Sequence, residues 1–158
     1  MSSLFNSPTQ RQVDIGVTIL RVVLGAIFIA HGGQKLFVYG FAGVAGAFGQ
    51  MGVPAAAFVG PAIALIEFFG GIALTLGLLT RLAALGIAAT MIGAIFLVHL
   101  PAGFFAPNGI EFPLALLAAA TTLVVTGAGR YSLDALIAGR RPVAARTGGV
   151  QYPLRRAA

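Results

Sequence analysis

The chain has 158 residues, 58% hydrophobic and only 9% charged, with ten Lys or Arg against four Asp or Glu for a formal net charge of +6. A charged fraction so far below the ~25% usual in soluble domains excludes a water-solvated globule. The absence of cysteine excludes disulfides, iron–sulfur ligation and thiolate nucleophiles. The length accommodates about four membrane-spanning helices and no separate soluble domain. The basic excess is better explained by membrane topology than by a nucleic-acid groove, so no nucleic-acid partner is expected.

In chain order, residues 1–14 read as a polar N-terminal arm. The first apolar run, Ile15 to Phe37, carries Arg21 and lacks a small-residue cleavage site, so it reads as an uncleaved first helix. After it, Gly40, Gly43, Gly46, Gly49 and Gly52 recur every third residue up to Pro54. This spacing predicts either a short, glycine-faced interfacial or re-entrant helix over the bundle mouth, which allows close backbone contact, or a loose glycine loop. The runs Ala55 to Leu79 and Leu82 to Leu100 flank a connection of only Thr80-Arg81, which predicts a tight antiparallel hairpin. The fourth run is Phe112 to Thr126. None of the four alternates with period two, so each reads as a helix. The expected fold is an all-α membrane protein: a four-transmembrane-helix bundle over residues 15–138 with a short interfacial or re-entrant segment between helices one and two. Residues 139–158, GRRPVAARTGGVQYPLRRAA, read as a mobile basic tail suited to anionic lipid headgroups.

An even number of spans places both termini on the side of Arg81. Arg11, Arg81, Arg130, Arg140, Arg141, Arg146, Arg155 and Arg156 fall on that side, and Lys35 is the only Lys or Arg in the two opposite loops. The positive-inside rule makes the basic face cytoplasmic, giving a multi-pass protein with both termini inside.

Two groups of residues carry candidate chemistry. Arg21 and Glu67 stand within apolar runs, about 12 and 18 Å from the cytoplasmic boundary at 1.5 Å rise per residue. Isolated charges at such depth cost at least ~2.5–3.5 kcal/mol, so the two are expected to face the interior and one another, as a ligand or proton site or as a structural ion pair. At the opposite end stand His31, Gln34, Lys35, His99 and Glu111. The motifs GAIFIAH (25–31) and GAIFLVH (93–99) deliver the chain's two histidines to the same boundary on parallel helices, as a duplicated hairpin would. His31, Gln34 and Lys35 share a helix face if the helix continues through Gly32-Gly33. Such a mouth suits a quinone, whose carbonyls need hydrogen-bond donors and whose ring needs walls that Phe28, Phe37, Phe96, Phe104 and Phe105 would supply. Equally, histidine and lysine there would simply anchor helix ends at headgroups. The histidine spacing matches no metal or haem motif, so neither a metal nor a covalent cofactor is expected. Gly25, Gly32, Gly70 and Gly71 are the candidate helix-packing positions.

The stretches HGGQKLF (31–37), GGIALTLGLLTRLAAL (70–85), VHLPAGFF (98–105) and GAGRYSLDALI (127–137) resemble the DoxX family of small four-helix bacterial membrane proteins, over roughly Val17 to Ala138. The resemblance implies a bacterial inner-membrane location. Relatives in that family include the small membrane subunit associated with thiosulfate:quinone oxidoreductase, and members of oxidative-stress complexes with thiol-handling proteins. Its pattern marks Arg21, His31, Gly32, Lys35, Glu67, Gly70, Gly71 and Arg81. The expected function is a membrane subunit of a quinone-linked oxidoreductase or oxidative-stress complex, holding a hydrophobic redox ligand such as a quinone. Its partners would be the lipid bilayer, a membrane or peripheral redox subunit, and further copies of itself in a homo-oligomer. The alternatives are a noncatalytic scaffold or assembly protein and a small permease.

Overall fold

In a computed structural model the described residues are 7–139. Residues 1–6 of the expected arm and the basic tail from Arg140 onward lie outside them.

Among the described residues six α-helices follow in order: α1 (Gln10–Gly33), α2 (Gly40–Gln50), α3 (Ala56–Leu76), α4 (Thr80–Ala94), α5 (Glu111–Thr126) and α6 (Leu133–Ile137). α1 starts earlier than hydropathy suggests because Thr9 and Gln12 form a capping box that satisfies the free N–H groups of the first turn. α1 and α4 continue into π-helical turns, Gln34–Tyr39 and Ile95–His99, which fall directly after or within the repeated motifs. Three apolar helical stretches have membrane-crossing length: Gln10–Gln50, Ala56–Leu76 and Thr80–Ala102. The first changes direction at Gly40, whose φ of 65° is one that glycine adopts without a steric penalty. α5 has 16 residues, about 24 Å of helix against a hydrocarbon core of about 30 Å, so length alone supports three spans and not the expected four.

α1 packs on α3, α3 on α4, α4 on α5 and α5 on α1, closing a ring of four helices, while α2 packs on α3. The buried positions of α1 (Asp14, Val17, Arg21, Leu24, Phe28) and of α3 (Gly60, Ala64, Glu67, Gly71, Leu74) alternate by three and four residues, the spacing of a left-handed helix pair. Phe28, Leu24, Leu74, Ile87 and Leu123 form the centre of the core.

Glycine sets how closely these helices approach. A Cβ on Gly71 would lie 2.7 Å from both the Gly25 carbonyl oxygen and the Ile29 nitrogen, and one on Gly32 would lie 2.7 Å from Phe68 Cα. Gly25, Gly32 and Gly71 therefore hold α1 against α3. Gly70 instead faces α4, where a Cβ would touch Ile87 at an ordinary 3.4 Å. The expected glycine face on α2 makes no close backbone contact. A Cβ on Gly46 would meet nothing within 4 Å, and the close approach is made by Gly60 of α3, which receives Val44 of α2. Val44 is the larger apolar surface and wins the buried face of α2.

The α3–α4 connection also differs from the expected Thr80-Arg81. α3 ends at Gly77 (φ 68°), Leu79 takes a left-handed φ of 47°, and Thr80 and Arg81 already belong to α4. A glycine just past a helix end makes the left-handed turn at low cost, which hydropathy does not register.

Candidate functional site

Polar side chains gather at the two ends of the ring: a base at the α3–α4 turn and a mouth at the α1–α2 end. The antiparallel register of α1 and α3 sorts them, because Gly25 lies against Gly71 and Gly32 against Phe68. Side chains on a helix lean toward its N-terminus. Arg21 on α1 therefore leans toward the base, and Glu67 on α3 leans toward the mouth. The expected Arg21–Glu67 pair does not form. Both are buried, at 2% and 4% exposure, but depth counted from Cα positions misses opposite leans that carry their charges apart.

Arg21 is bound by carbonyls instead. Its Nη1 donates to the carbonyls of Leu74 (2.9 Å) and Thr75 (2.7 Å), and its Nη2 donates to that of Tyr131. The last carbonyls of α3 lack partners within the helix and carry the negative end of its dipole, so the guanidinium both satisfies and neutralises them. Asp134 completes the base. Its carboxylate accepts the N–H groups of Leu79 (2.7 Å) and Thr80 (2.9 Å), and its own N–H donates to the Gly77 carbonyl (2.8 Å). Partial burial opposes its ionisation. The N–H donors of Thr80 and Leu79 and the charge of Arg21 outweigh that and hold the carboxyl below its usual value. One helix end is thus capped by a cation from α1 and the next helix start by an anion from α6. The sequence reading missed Asp134. The available signal was a short Ser-Leu-Asp helix start beside the basic end, in a chain with only four acids.

At the mouth, Lys35 takes the place assigned to Arg21. It lies one helical turn after His31 in the π-helical segment and leans back toward Glu67, with Nζ 2.5 Å from Oε2. The side chains are 18% and 6% exposed, so the pair sits in low dielectric but is not sealed. Such π-helical turns are found frequently at functional sites. His99 donates from Nδ1 to the Asn108 carbonyl (2.7 Å), which leaves Nε2 to accept when the ring is neutral.

These groups border a cavity of about 770 Å³, within the roughly 300–1,000 Å³ typical of ligand pockets. His31, Lys35, Glu67 and His99 line it, so the structure brings together four of the seven candidates and both repeated histidines. Arg21, Gln34 and Glu111 do not line it. Glu111 accepts the Ala106 N–H at 2.8 Å and ties the α4–α5 loop. Of the expected aromatic walls only Phe28 is present; the others are Phe48, Phe58 and Phe112. Phe37 instead stacks edge-on against Phe68, Phe104 pairs with Phe105 in the loop, and Phe96 is 65% exposed. Proximity of a phenylalanine to the mouth in sequence does not decide which way its helix face turns. Among the described residues no three His, Cys, Asp or Glu come together as a metal-holding group.

Long apolar helices with exposed aliphatic faces and charges confined to the interior and the ends define an integral membrane protein. The DoxX family model matches residues 16–100, and the chain belongs to that family. It is 37% identical to "Putative oxidoreductase CatD" of Bacillus subtilis over 80% of this chain and 90% of the relative. It is 34% identical to "Uncharacterized membrane protein Rv3486" of Mycobacterium tuberculosis, covering 78% of this chain and 82% of the relative. It is 36% identical to "Inner membrane protein YqjF" of Escherichia coli, covering 78% of this chain and 93% of the relative. No solved structure gives a significant match.

Proposed function

We propose that the protein is an inner-membrane subunit of a redox complex, in which the mouth cavity binds the head group of a hydrophobic redox ligand of the quinone class. The observation that carries this reading is the cavity itself: apolar and aromatic walls of ligand size with an ammonium, a carboxylate and two imidazoles among its lining groups. A quinone carbonyl needs a donor, which Lys35 and His31 provide, and a quinol hydroxyl needs an acceptor, which Nε2 of His99 and the Glu67 carboxylate provide. The residues thus fit both forms of such a ligand. The oxidoreductase name of the B. subtilis relative and the inner-membrane name of the E. coli relative support the setting. A partner redox subunit exchanges electrons with the ligand; this chain holds the ring and handles its protons. We place the basic base, with Arg11, Arg81 and Arg130, in the cytoplasm and count α5 as a fourth span that thins the bilayer around it.

The test is photo-crosslinking of the purified protein in nanodiscs with a benzoquinone carrying a photoreactive group on the ring. Labelling is expected on peptides containing His31, Lys35 or His99, and reduced in Glu67→Gln and Lys35→Gln. Unchanged labelling in both variants, or labelling confined to other surfaces, would overturn the reading.

A further inference from the structure

The way into the cavity is as informative as its walls. α3 and α4 leave their shared turn in close contact: a Cβ on Gly70 would lie 3.4 Å from Ile87, and one on Gly86 would lie 3.3 Å from Ile66. Two turns further toward the mouth Gly93 lines the cavity, and a Cβ there would meet nothing within 4 Å. Several residues that line the cavity along this seam also face outward. Ile66 is 39% exposed, Leu97 47% and Phe58 78%, and Ala89 is exposed too. These exposed lining residues lie on α3 and on the α4 stretch, both apolar and of membrane-crossing length.

Along the seam the lining side chains are apolar except Thr90, whose hydroxyl is already donated to the Ile87 carbonyl (2.8 Å), and the cover from α2 and the segment after it is apolar too, where Phe48, Met51 and Val53 line the cavity. A hydrated anion or sugar entering by either route would have to shed its water against surfaces that return no hydrogen bond. The cavity's charges are the paired Lys35 and Glu67, and Glu67 immediately follows the seam residue Ile66.

We infer that the cavity takes its ligand from within the bilayer through the α3–α4 seam, so that the ligand is a head-and-tail molecule whose ring reaches Lys35, Glu67 and His99 while its aliphatic chain stays between Ile66 and Leu97. This rests on the head-group binding proposed above and adds the place of the ligand's tail and its route of entry. Gly93 and Ala89 are the specificity-determining positions: their small size keeps the seam open, and a bulky side chain at either closes it to a tail. Gly93→Leu replaces a poor helix former with a good one in open space, so the variant retains its fold.

The experiment uses the full chain in nanodiscs with two probes, a benzoquinone bearing a decyl chain that ends in a diazirine and the same ring without the chain. The tail is expected to crosslink to peptides containing Ile66, Ala89 or Leu97. Gly93→Leu is expected to weaken binding of the tailed quinone by about tenfold, the loss of burying about two methylenes, and to change binding of the bare ring by less than about twofold. Ala89→Leu should do the same. Tail crosslinks on α2 or the 103–110 loop, equal weakening of both probes, or crosslinks between two copies of the chain across the seam would overturn the portal and leave the head-group site standing. Failure of both probes to bind the wild-type protein would remove the proposed function and the portal with it.

Discussion

The separation of the two interior charges gives a quantitative test. Arg21 binds at Thr75, eight residues along α3 from Glu67, which is about 12 Å of helix. At that distance, with no shared partner, substitutions are additive within about 0.5 kcal/mol. Arg21→Met leaves the Leu74 carbonyl with its bond from the Gly77 N–H at 3.1 Å but strips those of Thr75 and Tyr131. The two orphaned carbonyls are only part-buried, so each costs near the lower end of about 1–3 kcal/mol, and the predicted loss is about 2 kcal/mol. Arg21→Met combined with Glu67→Gln should therefore cost the sum of the single changes. Lys35→Met combined with Glu67→Leu should instead show a favourable coupling of about 1–2 kcal/mol, below the ceiling for a sealed pair because the lysine remains partly wet. The assay is equilibrium unfolding in mixed micelles, followed by helical circular dichroism for the six variants. A coupling above about 1 kcal/mol between Arg21 and Glu67, or none between Lys35 and Glu67, would refute the assignment of partners.

Gly71→Ala drives a methyl group into the backbone of α1 and should lower stability by about 1–3 kcal/mol. Gly46→Ala has open space and should be neutral or stabilise α2 by up to about 1 kcal/mol; thermal denaturation in detergent compares the two. Asp134→Asn weakens the cap on α4 and should cost about 1–2 kcal/mol at neutral pH. Because the Asp134 carboxyl titrates below its unfolded value, its contribution is complete above about pH 4 and is lost as pH falls through the folded value. Wild type and Asp134→Asn should accordingly converge on acidification, measured by unfolding at a series of pH values. A gap that stays constant down to pH 2 would show that the carboxylate charge is not what holds the turn.

Much of the architecture is legible before any coordinates. Apolar runs of membrane length with so few charges require helices, because a backbone in lipid must satisfy its own hydrogen bonds. The placement of His31, Lys35 and His99 at one end follows from the odd-numbered spans running parallel, and the structure finds them around one cavity. Gly25, Gly32 and Gly71 were recognisable as packing positions because small residues are what let apolar helices approach in lipid.

Tertiary structure alone decided which charges meet. Composition and hydropathy place Arg21 and Glu67 in the interior, since lipid tolerates neither, but they contain no information on helix register or on the opposite leans of side chains on antiparallel helices. Those two features gave Glu67 to Lys35 and Arg21 to the open carbonyls at the end of α3. The same holds for Asp134, whose partners lie 54 and 55 residues away, and for Gly93, which lines the cavity with open space where a Cβ would stand. A sequence determines what each residue tolerates around it; only the packed chain determines which neighbour is there.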